Sequence, residues 1–242
     1  MSQQNVNQPL TPKPVVTFKD GARDCLPTIL GYMGIGIAAG VLGRAANLSV
    51  LEITLMAMFI YAGASQFIIA GMMVIGSPVS AIILTTFFVN SRHFLMSMAQ
   101  AAYFRRYNLW HNMGIGSLLT DESFAVAMNF ISLKRPITAH WMHGLNVMAY
   151  LSWILSCLLG AILGSWLPNP QQFGLDFALV AMFIGLLYLQ IISDKQKKIL
   201  HTLLIMSAVV IFMVIFMRFL SPQISLLAAT LLGCLIGVVT EK

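Results

Sequence analysis

The chain has 242 residues, 58% of them hydrophobic and only 9% charged, with a mean hydropathy of +0.84. Ordinary soluble domains carry about 25% charge, so the composition excludes a soluble globular protein and implies an all-α, polytopic transmembrane helical bundle. The net charge of +6 is scattered over short loops; that speaks against nucleic-acid binding, which wants a basic face with interleaved aromatics, and suits cytoplasmic-loop lysines and arginines.

Residues 1–18 are polar, carry Pro9, Pro12 and Pro14, and are expected to form a disordered tail. The apolar run that follows is broken by Pro27 and has no clear small-residue cleavage site, so it does not read as a signal peptide. Residues 19–242 are expected to form one transport domain. A membrane-crossing helix takes about 20 apolar residues, and segments of that order recur at Leu26–Gly43, Val50–Ile75, Val79–Ala102, Leu145–Leu167, Phe173–Ile192, Ile199–Leu220 and Ile224–Val239. Between Ile53 and Ser91 there is no Asp, Glu, Lys, Arg or His, a run of 39 residues. Gly76-Ser77-Pro78 predicts a tight turn within it.

Met113–Phe130 is different. Asp121 and Glu122 sit near its centre. The pair costs roughly 5–7 kcal/mol at mid-bilayer, and the strong apolar residues around it return roughly 2.4–4.8 kcal/mol. The segment is therefore expected to be packed inside protein, to line a wet cavity, or to be re-entrant. Counting it as a span gives eight helices, and omitting it gives seven. Lysines and arginines divide nine to four under both counts, which places the C-terminus in the cytoplasm and leaves the N-terminal side open. Ala57–Gln66 and Ala181–Gln190 share an Ala-Met-Phe-Ile start and a Gln at the same offset; with seven helices this repeat is inverted, a common transporter plan.

Polar groups in lipid must be satisfied or functional, and three constellations stand out. Tyr61-Ala62-Gly63-Ala64-Ser65-Gln66-Phe67 lies mid-span. Gly63 permits close approach or a helix break whose freed N–H and C=O groups suit a zwitterion; the alternative is a small-residue helix contact. Asn90-Ser91-Arg92-His93 offers a cation and a group that titrates near neutral pH; the alternative is an interfacial cluster with Arg92 snorkelling. Thr120-Asp121-Glu122-Ser123 offers carboxylates suited to taking up a proton, with Arg92 as charge partner; the alternative is a structural ion pair or an exposed loop. Candidate substrate-binding residues are thus Tyr61, Gly63, Ala64, Ser65, Gln66 and Asn90. Candidates for proton coupling or charge pairing are Arg92, His93, Asp121 and Glu122. Phe59 and Phe67 are candidates to face an aliphatic side chain. His140 and His143 flank Trp141 without Cys or carboxylate nearby and read as an interfacial cluster rather than a metal site. Cys25, Cys157 and Cys234 form no metal or redox motif. No nucleophile elbow, HExxH, P-loop or dinucleotide fingerprint is present, so no enzyme is expected.

The ordered set Tyr61–Phe67, Asn90–His93 and Leu119-Thr120-Asp121-Glu122-Ser123-Phe124-Ala125 resembles the AzlC family. Trp153 with Gly160, Gly164 and Leu167-Pro168, and then Gly174–Leu179, belong to the same resemblance. It extends from about residue 20 to the C-terminus. One departure is Tyr32-Met33-Gly34-Ile35-Gly36, where the family often has a Pro-Phe-Gly-like element. The resemblance implies a secondary transporter of the bacterial inner membrane that exports branched-chain or similar small neutral amino acids and is coupled to protons. It also implies a small membrane subunit of the AzlD type and no cofactor. A passive channel for a small solute and a non-transporting membrane subunit are the rival readings.

Overall fold

A computed structural model describes residues 16–74, 76–166, 184, 188, 199–220 and 222–240. The described residues are helical, without strands. The expected span Phe173–Ile192 and the second copy of the Ala57–Gln66 repeat lie outside them, apart from residues 184 and 188.

Thr17 caps a short helix, α1 (Phe18–Asp24), by exchanging hydrogen bonds with Asp20. α2 (Leu26–Ala45) starts with Pro27 in its first turn, where a missing N–H costs nothing. α2 packs along α8 (Ala139–Gly164) through glycines. A Cβ on Gly40 would meet the Cys157 carbonyl, and one on Gly160 would meet the Ile37 carbonyl. Gly36 lies against Ser156 and Gly164 against Val41 and Arg44. Residue numbers rise together along this contact, so the two helices are parallel, with backbones as close as small residues allow.

α5 (Val79–Phe104) runs the other way. Its Gln100 donates to the sulfur of Met142, near the start of α8, at 3.3 Å. α2, α5, α8 and α9 (Ile199–Phe216) are each long and apolar enough to cross a membrane. α10 (Pro222–Thr240) lies antiparallel to α9, with Thr240 bonded to His201 at 2.7 Å.

The expected continuous span Val50–Ile75 is instead a hairpin of two half-helices, α3 (Val50–Phe59) and α4 (Gly63–Val74). α3 starts beside the C-terminal end of α2, with Ile53 against Gly43, and descends until the Met58 carbonyl accepts from Tyr150 at 3.0 Å. There the chain turns at Tyr61, whose φ is +42°. α4 climbs back: Gly63 is level with Trp153, and Gln66 lies between Trp153 and Cys157. Length and hydropathy cannot distinguish a crossing from a there-and-back excursion of the same total length, and no proline marks the reversal.

Met113–Phe130 is the second hairpin, α6 (Leu109–Ser117) and α7 (Asp121–Ser132). Both of its outer ends lie at the start of α8: His111 on α6 is 2.9 Å from His143, and the Phe130 ring on α7 is 4.8 Å from that of Trp141. The segment therefore doubles back on itself instead of running straight through. The two hairpins come from opposite ends of α8, and their tips meet halfway along it.

Candidate functional site

The tips, with α2, α5 and α8, border one small, partly open cavity. Tyr61, Ala62, Gly63 and Ala64 line it from the first tip; Thr120, Asp121 and Glu122 line it from the second. Tyr32 on α2, Arg92 and His93 on α5, and Trp153 on α8 are the other described residues that line it.

Two helix N-termini open into this space. The first N–H groups of a helix have no acceptor within it, and the aligned peptide dipoles give that end a partial positive charge. α4 begins at Gly63 with no acidic residue in its first turn. Gly63 and Ala64, whose N–H groups have no acceptor within the helix, both line this space. α7 is the complement. Thr120 caps it: its hydroxyl accepts from the Ser123 N–H at 3.3 Å, and its own N–H donates to Ser123 Oγ at 2.9 Å. Asp121 and Glu122 occupy its first turn. Its positive end already carries two carboxylates.

Those carboxylates have different partners. Asp121 Oδ2 is 2.7 Å from Arg92 Nη2. Glu122 Oε2 accepts the Tyr32 phenol at 2.8 Å, and the same phenol lies 2.7 Å from the Thr120 hydroxyl. His93 Nδ1 is 3.2 Å from the Asn90 carbonyl.

Ser65, Gln66 and Asn90 stand just behind the lining. Ser65 donates to Asn90 Oδ1 at 2.7 Å, tying α4 to α5. Trp153 Nε1 donates to Gln66 Oε1 at 2.7 Å, tying α8 to α4. Phe59 and Phe67 do not line the cavity: Phe59 is 81% exposed and Phe67 is buried in the core. Hydrophobicity and proximity in sequence put them on the candidate set, but the reversal at Tyr61 turns both away. The apolar lining among the described residues includes Ala62, Ala64 and the Trp153 ring.

Tyr32, Ala62, Thr120 and Trp153 are the lining residues that the candidate set lacked. A tyrosine or a tryptophan deep in a span was the available signal, because each brings a hydrogen-bonding group that burial obliges to find a partner. His140 and His143 lie away from the cavity and form a cluster with His111, whose ring is 5.7 Å from that of His140. The His111–His143 contact fastens the second hairpin to α8.

The family model of the AzlC protein matches residues 27–167, which contain both hairpins and every residue lining the cavity. This chain belongs to the AzlC family. Among the family's relatives, the inner membrane protein YgaZ of Escherichia coli K12 is 30% identical over 95% of this chain and 94% of its own. An uncharacterized membrane protein of Archaeoglobus fulgidus is 31% identical over 70% of this chain and 74% of its own. The branched-chain amino acid transport protein AzlC of Bacillus subtilis 168 is 25% identical, with 74% of this chain and 70% of that protein covered. No solved structure matches. AzlC membership and the apolar helices make this a membrane transport protein.

Proposed function

We propose that this AzlC protein is the translocating subunit of a secondary transporter that exports branched-chain or similar small neutral amino acids across the inner membrane in exchange for protons. One observation carries the reading: two half-helix N-termini meet in one cavity, one bare and one bearing a carboxylate pair. An amino acid presents the complement of that pair. Its carboxylate fits the N–H groups of Gly63 and Ala64, and its ammonium fits the acidic tip of α7. Ala62 and Trp153 then face a short aliphatic side chain. The name of the Bacillus subtilis relative supports the same substrate class.

The topology supports a carrier. α6, α7 and α8 start 59, 58 and 60 residues after α3, α4 and α5, and α5 and α8 are both 26 residues long. With the hairpins entering from opposite ends, we infer an inverted repeat of about this period, with the site at its centre. A small AzlD-type subunit is the inferred partner.

The test is leucine movement in proteoliposomes of the full chain, with and without the small subunit. A carrier releases labelled leucine faster when unlabelled leucine is added to the far side. A passive pore shows release without that acceleration. A non-transporting subunit shows no release under either condition, and that result overturns the proposal.

A further inference from the structure

We propose that Glu122 is the exchange site itself: its carboxylate holds either a proton or the substrate's ammonium, never both, while Asp121 is a fixed structural charge. The proposal rests on the amino-acid exporter reading above and assigns its coupling to one side chain.

Three observations separate the two acids. First, Asp121 is committed, since Arg92 lies 2.7 Å away. Second, Glu122 lines the cavity and has no ion pair among the described residues. The groups facing it are Tyr32 from α2, Tyr61 from the first tip, Arg92 and His93 from α5, and Asp121 beside it; α8 contributes Trp153, which does not titrate.

Third, the hydrogen bonds of Glu122 can be made in both charge states. As a carboxylate it accepts from the Tyr32 phenol, whose oxygen then accepts from Thr120. As an acid it donates to the Tyr32 oxygen, the phenol donates to Thr120, and the Thr120 hydroxyl turns to Ser123 Oγ at 3.3 Å. Each hydroxyl rotates and no heavy atom needs to move. A buried polar network is costly unless satisfied, and this one stays satisfied through a change of charge.

The step balances simply. Water on one side gives a proton to Glu122 Oε2, forming the O–H bond and neutralising the carboxylate; the ammonium loses its counter-charge and leaves. On the other side the arriving ammonium replaces the proton, which returns to water. Because neither can bind while the other is bound, proton entry drives amino-acid exit without further machinery.

The vesicles that establish leucine exchange test this. In wild type, the KM for leucine rises as pH falls, approaching tenfold per pH unit, and a leucine gradient moves protons read by an entrapped pH dye. Glu122→Gln is expected to raise KM, flatten its pH dependence and lower leucine-driven proton movement at least tenfold. Glu122→Asp, which keeps a carboxyl, restores proton movement. Tyr32→Phe shifts the pH at which KM rises but keeps the coupling. Asp121→Asn lowers the exchange rate but retains the wild-type pH slope. Wild-type proton movement in Glu122→Gln, or a flat profile in Asp121→Asn, overturns the assignment while leaving the exporter intact. Absence of leucine exchange in wild type removes the exporter reading and this assignment with it.

Discussion

Gly63 shows how narrowly the cavity is built at the level of single atoms. A Cβ placed there would come within 2.9 Å of Trp153 Cη2. That indole cannot retreat freely, because its N–H is bonded to Gln66. Gly63→Ala is therefore expected to lower leucine exchange about tenfold, and Gly63→Val to abolish it. Gly71→Ala, at a position with nothing within 4 Å, is the control and should exchange normally. Trp153→Phe tests the other side of the same contact. It leaves buried Gln66 Oε1 with only the weak Cys157 thiol donor at 3.9 Å, at a cost of about 1 kcal/mol, readable as a lowered melting temperature in detergent. Gly63 and Gln66 were legible in the sequence as polar or small residues in a greasy run. Their partner on α8 was not, since nothing in a linear pattern says which of several spans lies opposite.

Among the elements, the hairpin that was easier to foresee is the one with charges. Asp121 and Glu122 made a lipid-facing span unaffordable, and re-entry was one of the few arrangements left. The first hairpin gave no such warning: Val50–Val74 carries no charge except Glu52, which is engaged with Ser49 at the start of α3. Its reversal depends on Tyr61 adopting a positive φ beside Ala62-Gly63, and a tyrosine does not announce that. The second tip depends on its cap. Thr120→Ala removes the side-chain acceptor for the Ser123 N–H and a partner of Tyr32. About 1 kcal/mol of stability should be lost, and Thr120→Ser should recover most of it. The α2–α8 seam is less forgiving. Leucine at Gly40 or Gly160 would have to force apart two backbones in contact, and loss of the folded protein from the membrane is the expected result.

For the whole molecule, the hairpins change the accounting of charge. If neither hairpin crosses, Lys19, Arg23, Arg105, Arg106, Lys134 and Arg135 all fall at the end where α2 and α8 begin, and Arg44 falls at the other. The equal division of basic residues that left seven and eight spans undecided came from treating Val50–Ile75 as a crossing. With that crossing removed, the positive-inside rule predicts that the starts of α2 and α8 face the cytoplasm. Cysteine accessibility tests this directly. Cys25 and Cys157 are buried, so Cys234→Ser gives a quiet background. A membrane-impermeant maleimide added to intact cells should label Asn47→Cys and Ser77→Cys, which flank the first hairpin. It should reach Leu10→Cys and Lys134→Cys only after the membrane is opened. Any scheme in which residues 50–75 cross the bilayer puts positions 47 and 77 on opposite sides. Labelling of one without the other would therefore remove the hairpin, the inverted repeat and the central meeting of the two helix ends together.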